Sequence, residues 1–116
     1  MTESTATAPT VKVPPAPTTT LEMAERVVWV ARWLDDLGIA PCMLRVGDGF
    51  IAGYHGQLGG VVEFQVLTRV EFDRAVLAFG ATPDDKHHRV VVDATTIHHG
   101  IPIRVYIGRV LYEAAA

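Results

Sequence analysis

The chain has no asparagine, one serine (Ser4), one cysteine (Cys42) and only two lysines (Lys12 and Lys86). Each shortage removes a class of protein. A lone cysteine excludes an internal disulfide framework and fits a reducing compartment, so the expected location is cytoplasmic. A lone serine, close to the amino terminus, leaves no nucleophile for serine-dependent acyl transfer. No apolar run approaches the roughly 20 residues that span a bilayer, and no basic-then-apolar leader opens the chain, so no membrane partner is expected. Charge is also scarce: 20% of the 116 residues are charged and the net charge is −3. Without a basic field to hold a phosphate backbone, nucleic acid is disfavoured as a partner. There is no P-loop, no GxSxG elbow, no HExxH and no paired CxxC. Neither an enzyme nor a cofactor is expected.

What remains is apolar. Hydrophobic residues make up 49% of the chain, as in a globular protein, and the length suits one core. Residues 1–19, rich in Thr, Ala and Pro, have no helical or strand period and read as a loose tail. The domain is expected over 20–111, followed by a short tail at 112–116.

Residues 20–37 place Met23, Ala24, Val27, Val30, Ala31, Leu34 and Leu37 on one arc about 140° wide, the mark of an amphipathic helix. Thr19 and Glu22 open it with a capping box, and Gly38 and Pro41 end it. A second capping box, Thr68 to Glu71, opens a helix whose Phe72, Ala75, Val76 and Phe79 share a face, and Gly80 ends it. Strands are expected at 43–46, 50–54, 61–67, 88–96 and 101–107, with turns at 47–49 and 97–100. Pro102 makes the last strand an edge candidate. The reading is an α+β fold in two layers, a mainly antiparallel sheet of four to five strands under two helices on one face, in the order α-β-β-β-α-β-β. Motifs repeating at an offset of 44, such as His55-Gly56 and His99-Gly100, raise an αββ duplication.

The open sheet face should carry Arg45, Glu63, Gln65, Asp93, Thr95, Arg104 and Tyr106, with Tyr106 the one aromatic placed for a partner. Gly47-Asp48-Gly49-Phe50-Ile51-Ala52 fits a loose dinucleotide fingerprint, but no helix follows it to receive a pyrophosphate.

Trp29 stands out. It falls roughly 145° from the middle of the apolar arc at 100° per residue, among Glu22, Glu25, Arg26, Arg32 and Asp36. Trp33 follows on the flank. Tryptophan is enriched where partners anchor. The expected function is therefore a non-enzymatic interaction or self-association module, with a protein partner or a second copy in a dimer. Its contacts would be Trp29, Trp33, Arg26, Arg32 and Tyr106. One alternative is a nucleic-acid-binding regulatory domain using Arg45, Arg69, Arg89, Arg104 and Arg109. Another is a small enzyme or metal protein using His55, His98 and His99.

Overall fold

The structure is a computed structural model that describes residues 13–114; the first twelve residues of the expected tail, and residues 115–116, lie outside them. In chain order the elements are α1 (Thr20–Asp36), β1 (Met43–Gly49), β2 (Leu58–Gln65), α2 (Arg69–Phe79), β3 (Thr82–Asp84), β4 (Val91–His98), β5 (Ile101–Gly108) and α3 (Arg109–Ala114). The strands form one sheet in the order β1-β2-β5-β4-β3. The fold is the expected α+β sandwich of helices on a sheet. The sheet is mixed, because β5 enters beside β2 and runs parallel to it, while the other three pairings are antiparallel.

Local chemistry sets the helix ends. The Thr19 hydroxyl accepts the Glu22 amide at 3.1 Å. The Glu22 carboxylate reaches one residue further back than a standard capping box, accepting from both the amide and the hydroxyl of Thr18. Those bonds with Thr18, more than any neighbouring charge, hold the Glu22 carboxyl below its usual range. At the other end Gly38 takes φ +70. Its amide donates to Asp35 and that of Ile39 to Leu34, the paired bonds of a Schellman motif. Leu34 and Ile39 are both buried there, which locks the helix exit to the core.

Strand alternation divides the sheet. Val62, Phe64, Val66, Val92, Ala94, Ile103, Val105 and Ile107 join Val30 and Leu34 of α1 and Phe72, Ala75 and Phe79 of α2 in one buried cluster. The opposite face carries Arg45, Glu63, Gln65, Asp93, Thr95, Arg104 and Tyr106, opposed across the ladders as Arg45–Glu63–Arg104 and Asp93–Tyr106.

Several elements differ from the sequence reading. Residues 47–49 are strand, not turn: β1 runs to Gly49 with an irregularity between Gly47 and Gly49, and the reversal occupies residues 50–57. The expected strand at 50–54 is that link. Its Ile51 is buried against Leu58 and Val61 on the face away from the helices, so its apolar character serves packing without pairing. Val90 lies before β4 and is exposed. β5 is central, not an edge. Pro102 is tolerated because it pairs with Ile97 one step from the two-residue turn, before pairing with β2 begins at Ile103. That turn, His99-Gly100, has φ +49 and +79, as a type I′ connection requires. The short edge strand β3 and the helix α3, in place of a tail from 112, were not expected. Tyr112 of α3 stacks edge-on against Phe72 under the Arg69 guanidinium. The halves sharing the 44-residue offset are not related by a two-fold axis. Such an axis with both helices on one face would make the central strands antiparallel, whereas β2 and β5 are parallel.

Candidate functional site

α1 buries only Val30 and Leu34. Its far side keeps apolar side chains at Leu21, Val28 and Trp29, which are 68%, 48% and 50% exposed, with Glu25 and Arg32 between Val28 and Trp29 around the helix. Three shallow depressions meet at the Trp29 ring. One, of about 400 Å³, is walled by Trp29, Trp33, His99 and Ile101. A second, of about 260 Å³, lies between Leu21, Ala24, Glu25, Val28 and Arg32. The third is closed by residues 15–18 with Glu22, Glu25 and Arg26. Trp29 is therefore a half-covered anchor at a junction of apolar surface, the setting in which aromatic side chains carry association energy.

Around it the aromatic rings form a chain. Trp29 and Trp33 have centroids 6.1 Å apart. Trp33 meets Phe79 at 6.2 Å and the edge of His98 at 4.8 Å. His98 and His99 lie 4.4 Å apart at the tip of the β4–β5 hairpin. Burial, then the neighbouring His99 charge, hold the His98 imidazole below its ordinary range, against a raising hydrogen bond with the Phe79 backbone. The Arg32 guanidinium lies over the Trp29 ring at 5.4 Å, a cation–π contact.

The other residues singled out from sequence are dispersed. Arg26 is structural: its Nη1 donates to the carbonyls of Gly59 and Gly60 and its Nη2 to Pro15, pinning residues 15–17 across the glycines of β2. Burial lowers its pKa, and Glu22 opposes that. Tyr106 lies on the opposite sheet face beneath Arg104, 4.7 Å from its guanidinium carbon. His55 is exposed in the 50–57 link, so the structure gathers only His98 and His99 of the three histidines. Among the described residues no three His, Cys, Asp or Glu side chains converge as metal ligands would. Cys42 is exposed. Of the arginines considered for nucleic acid, Arg69 bonds Asp73 and the Tyr112 carbonyl. Arg109 bonds the carbonyls of Asp85, His88 and Arg89. Arg45 and Arg104 belong to an ion ladder.

That ladder crosses the sheet face away from the helices. Arg45 Nη2 meets Glu63 Oε1 at 2.6 Å, Arg104 Nη1 meets Glu63 Oε2 at 3.1 Å, and Arg104 Nε meets Asp93 Oδ2 at 2.7 Å. Burial pulls the Arg104 pKa down, but the bonds and charges of Asp93 and Glu63 outweigh it and hold the guanidinium above its usual range.

Sequence reasoning did not single out Leu21 and Val28 as surface residues. Their seven-residue spacing puts both on one line of α1, a pattern that was available to it. No helix among the described residues is long and apolar enough to cross a membrane. No protein-family model, curated protein or solved structure matches this chain.

Proposed function

We propose that this domain is a non-enzymatic self-association module, pairing through the outer face of α1 across a two-fold axis. The observation that carries the reading is the placement of Glu25 and Arg32 around Val28 and Trp29. Glu25 precedes Val28 by three residues and Arg32 follows Trp29 by three. An antiparallel pairing of two α1 helices centred between Val28 and Trp29 sets Val28 against the partner's Trp29. It also brings Glu25 to the partner's Arg32 at two symmetric points. Closed two-fold interfaces need this kind of self-complementary patch. The exposed apolar side chains supply the attraction, and the two charge pairs supply register. The lone cysteine supports a cytoplasmic setting.

Sedimentation across a concentration series tests the reading. The wild-type chain is expected to move from monomer to dimer, and Trp29→Ala to weaken the dimer by about thirtyfold or more, as loss of a central aromatic anchor does. A wild-type chain that stays monomeric at every concentration, or a Trp29→Ala dimer of unchanged strength, overturns it.

A further inference from the structure

The sheet face opposite α1 holds a feature that self-association does not use. The 50–57 link folds over the ion ladder and leaves a pocket of about 280 Å³. Its walls include Asp48 at the end of β1, with Phe50 and Gln57 from the link, and its lining also takes in Glu63, Asp93 and Arg104 of the ladder. His88 completes it, with Nε2 3.8 Å from Asp93 Oδ2.

Apolar side chains could fill the layer these charges occupy. Glu63 and Asp93 are each 8% exposed, and the same face has apolar neighbours in Ile51, Leu58 and Val61. A buried ion ladder seldom stabilises more than apolar side chains of the same shape, so its presence beside a cavity points to a ligand. The contacts of Asp93 with Arg104 and His88 all fall on Oδ2, leaving Oδ1 without a protein partner among the described residues. A carboxylate oxygen that deep normally has a donor.

Charge and shape indicate what supplies it. Three carboxylates (Asp48, Glu63 and Asp93) line the pocket against the Arg104 guanidinium and the His88 imidazole, with Arg45 pairing Glu63 from outside the lining. An anion would have to displace Glu63 or Asp93 from Arg104 and then sit beside Asp48. Both Glu63 oxygens are already taken by Arg45 and Arg104, so a cation entering the pocket meets Asp48 and the open Oδ1 of Asp93. Phe50, 63% exposed and part of the lining, is an aromatic ring available for a cation–π contact. Three converging metal ligands do not occur among the described residues, which favours an organic cation over a bare metal ion. We propose that this pocket binds a small organic cation through an ammonium or guanidinium group, held between Asp48 and Asp93 under the Phe50 ring.

The probe is agmatine, which carries both groups, added to the full chain and followed by amide chemical shifts and calorimetry. Saturable shifts are expected at Gly49, Phe50, Gln57 and Asp93, weakening as salt is raised. Asp48→Asn and Phe50→Ala change exposed side chains, so they preserve the fold, and each should weaken binding roughly fivefold. Trp29→Ala should leave agmatine binding unchanged, which separates this site from the dimer face. No saturable shift, shifts that persist undiminished in both pocket variants, or inorganic phosphate binding at the same amides each overturns the proposal.

Discussion

Replacing Phe64 by alanine tests the layer architecture at its centre. Phe64 is fully buried on the helix side of β2, paired with Leu44 of β1 and Val105 of β5. Its ring meets that of Phe79 edge-on at 6.1 Å, coupling the sheet to α2. The substitution removes the ring's transfer free energy and opens a cavity. Central strands and α2 cannot collapse into that space without breaking ladder pairs, so the cost should be about 3–5 kcal/mol, the usual range for a buried Phe. In a domain of this size each kcal/mol moves the melting temperature by about 4–8 °C, so the loss is comparable with the whole stability of a marginal protein. Urea unfolding followed by far-UV circular dichroism measures it, with Leu77→Ala as control, since Leu77 on the outer face of α2 is 85% exposed. A Phe64→Ala cost below about 1 kcal/mol, typical of surface sites, would mean that β2 presents its other face to the helices.

Three further outcomes follow from the geometry. Arg104→Met leaves Glu63 and Asp93 buried without their shared cation and should cost about 3–5 kcal/mol in urea unfolding; replacing all three by apolar residues should recover most of it, and no recovery would contradict the view that the ladder is not needed for stability. Gly60 has φ +68, and a Cβ there would lie 2.6 Å from Pro17 and 2.7 Å from Arg26 Nη1. Gly60→Ala should therefore cost about 1–2 kcal/mol and release residues 15–17, seen as shifted amide resonances at Ala16 and Thr18, whereas unchanged resonances would contradict the contact. His98 is held below its ordinary pKa of 6.5 by burial, then by His99. The unfolded chain takes up that proton more readily, so this contribution is complete above pH 6.5 and is lost as pH falls toward the lowered folded value. A urea midpoint that falls with acid in the wild type and falls less in His98→Gln fits this sign; identical slopes contradict it.

Much of the architecture was legible because its signals are local. Thr19, Thr68, Gly38 and Gly80 mark helix ends through backbone groups within a few residues. Alternation placed seven polar side chains on the correct sheet face before any pairing was known. What was not legible depends on contacts distant in sequence. The parallel β2–β5 pairing brings Val62 to Ile103, and nothing near either residue specifies it. Ile51 resembles a strand residue because burial, not pairing, selects it. β3 has three residues, one of them Pro83, too few for any period to show. At the candidate site, Trp29 was conspicuous by its helical angle alone. Its junction with His99 and Ile101 required the β4–β5 hairpin to fold back beside α1. The reassignment of Arg26 from partner contact to clamp came only from the carbonyls of Gly59, Gly60 and Pro15.

The most direct test of self-association through α1 is a charge exchange across the proposed two-fold axis, read by sedimentation equilibrium. Glu25→Arg and Arg32→Glu, made separately, each set like charges against each other at two symmetric points and should weaken the dimer by about tenfold or more. The double variant restores opposite charges in the swapped order and should return the dimer to near wild-type strength. If the double variant is as weak as either single one, or if neither single variant weakens the dimer, α1 does not pair with itself in this register.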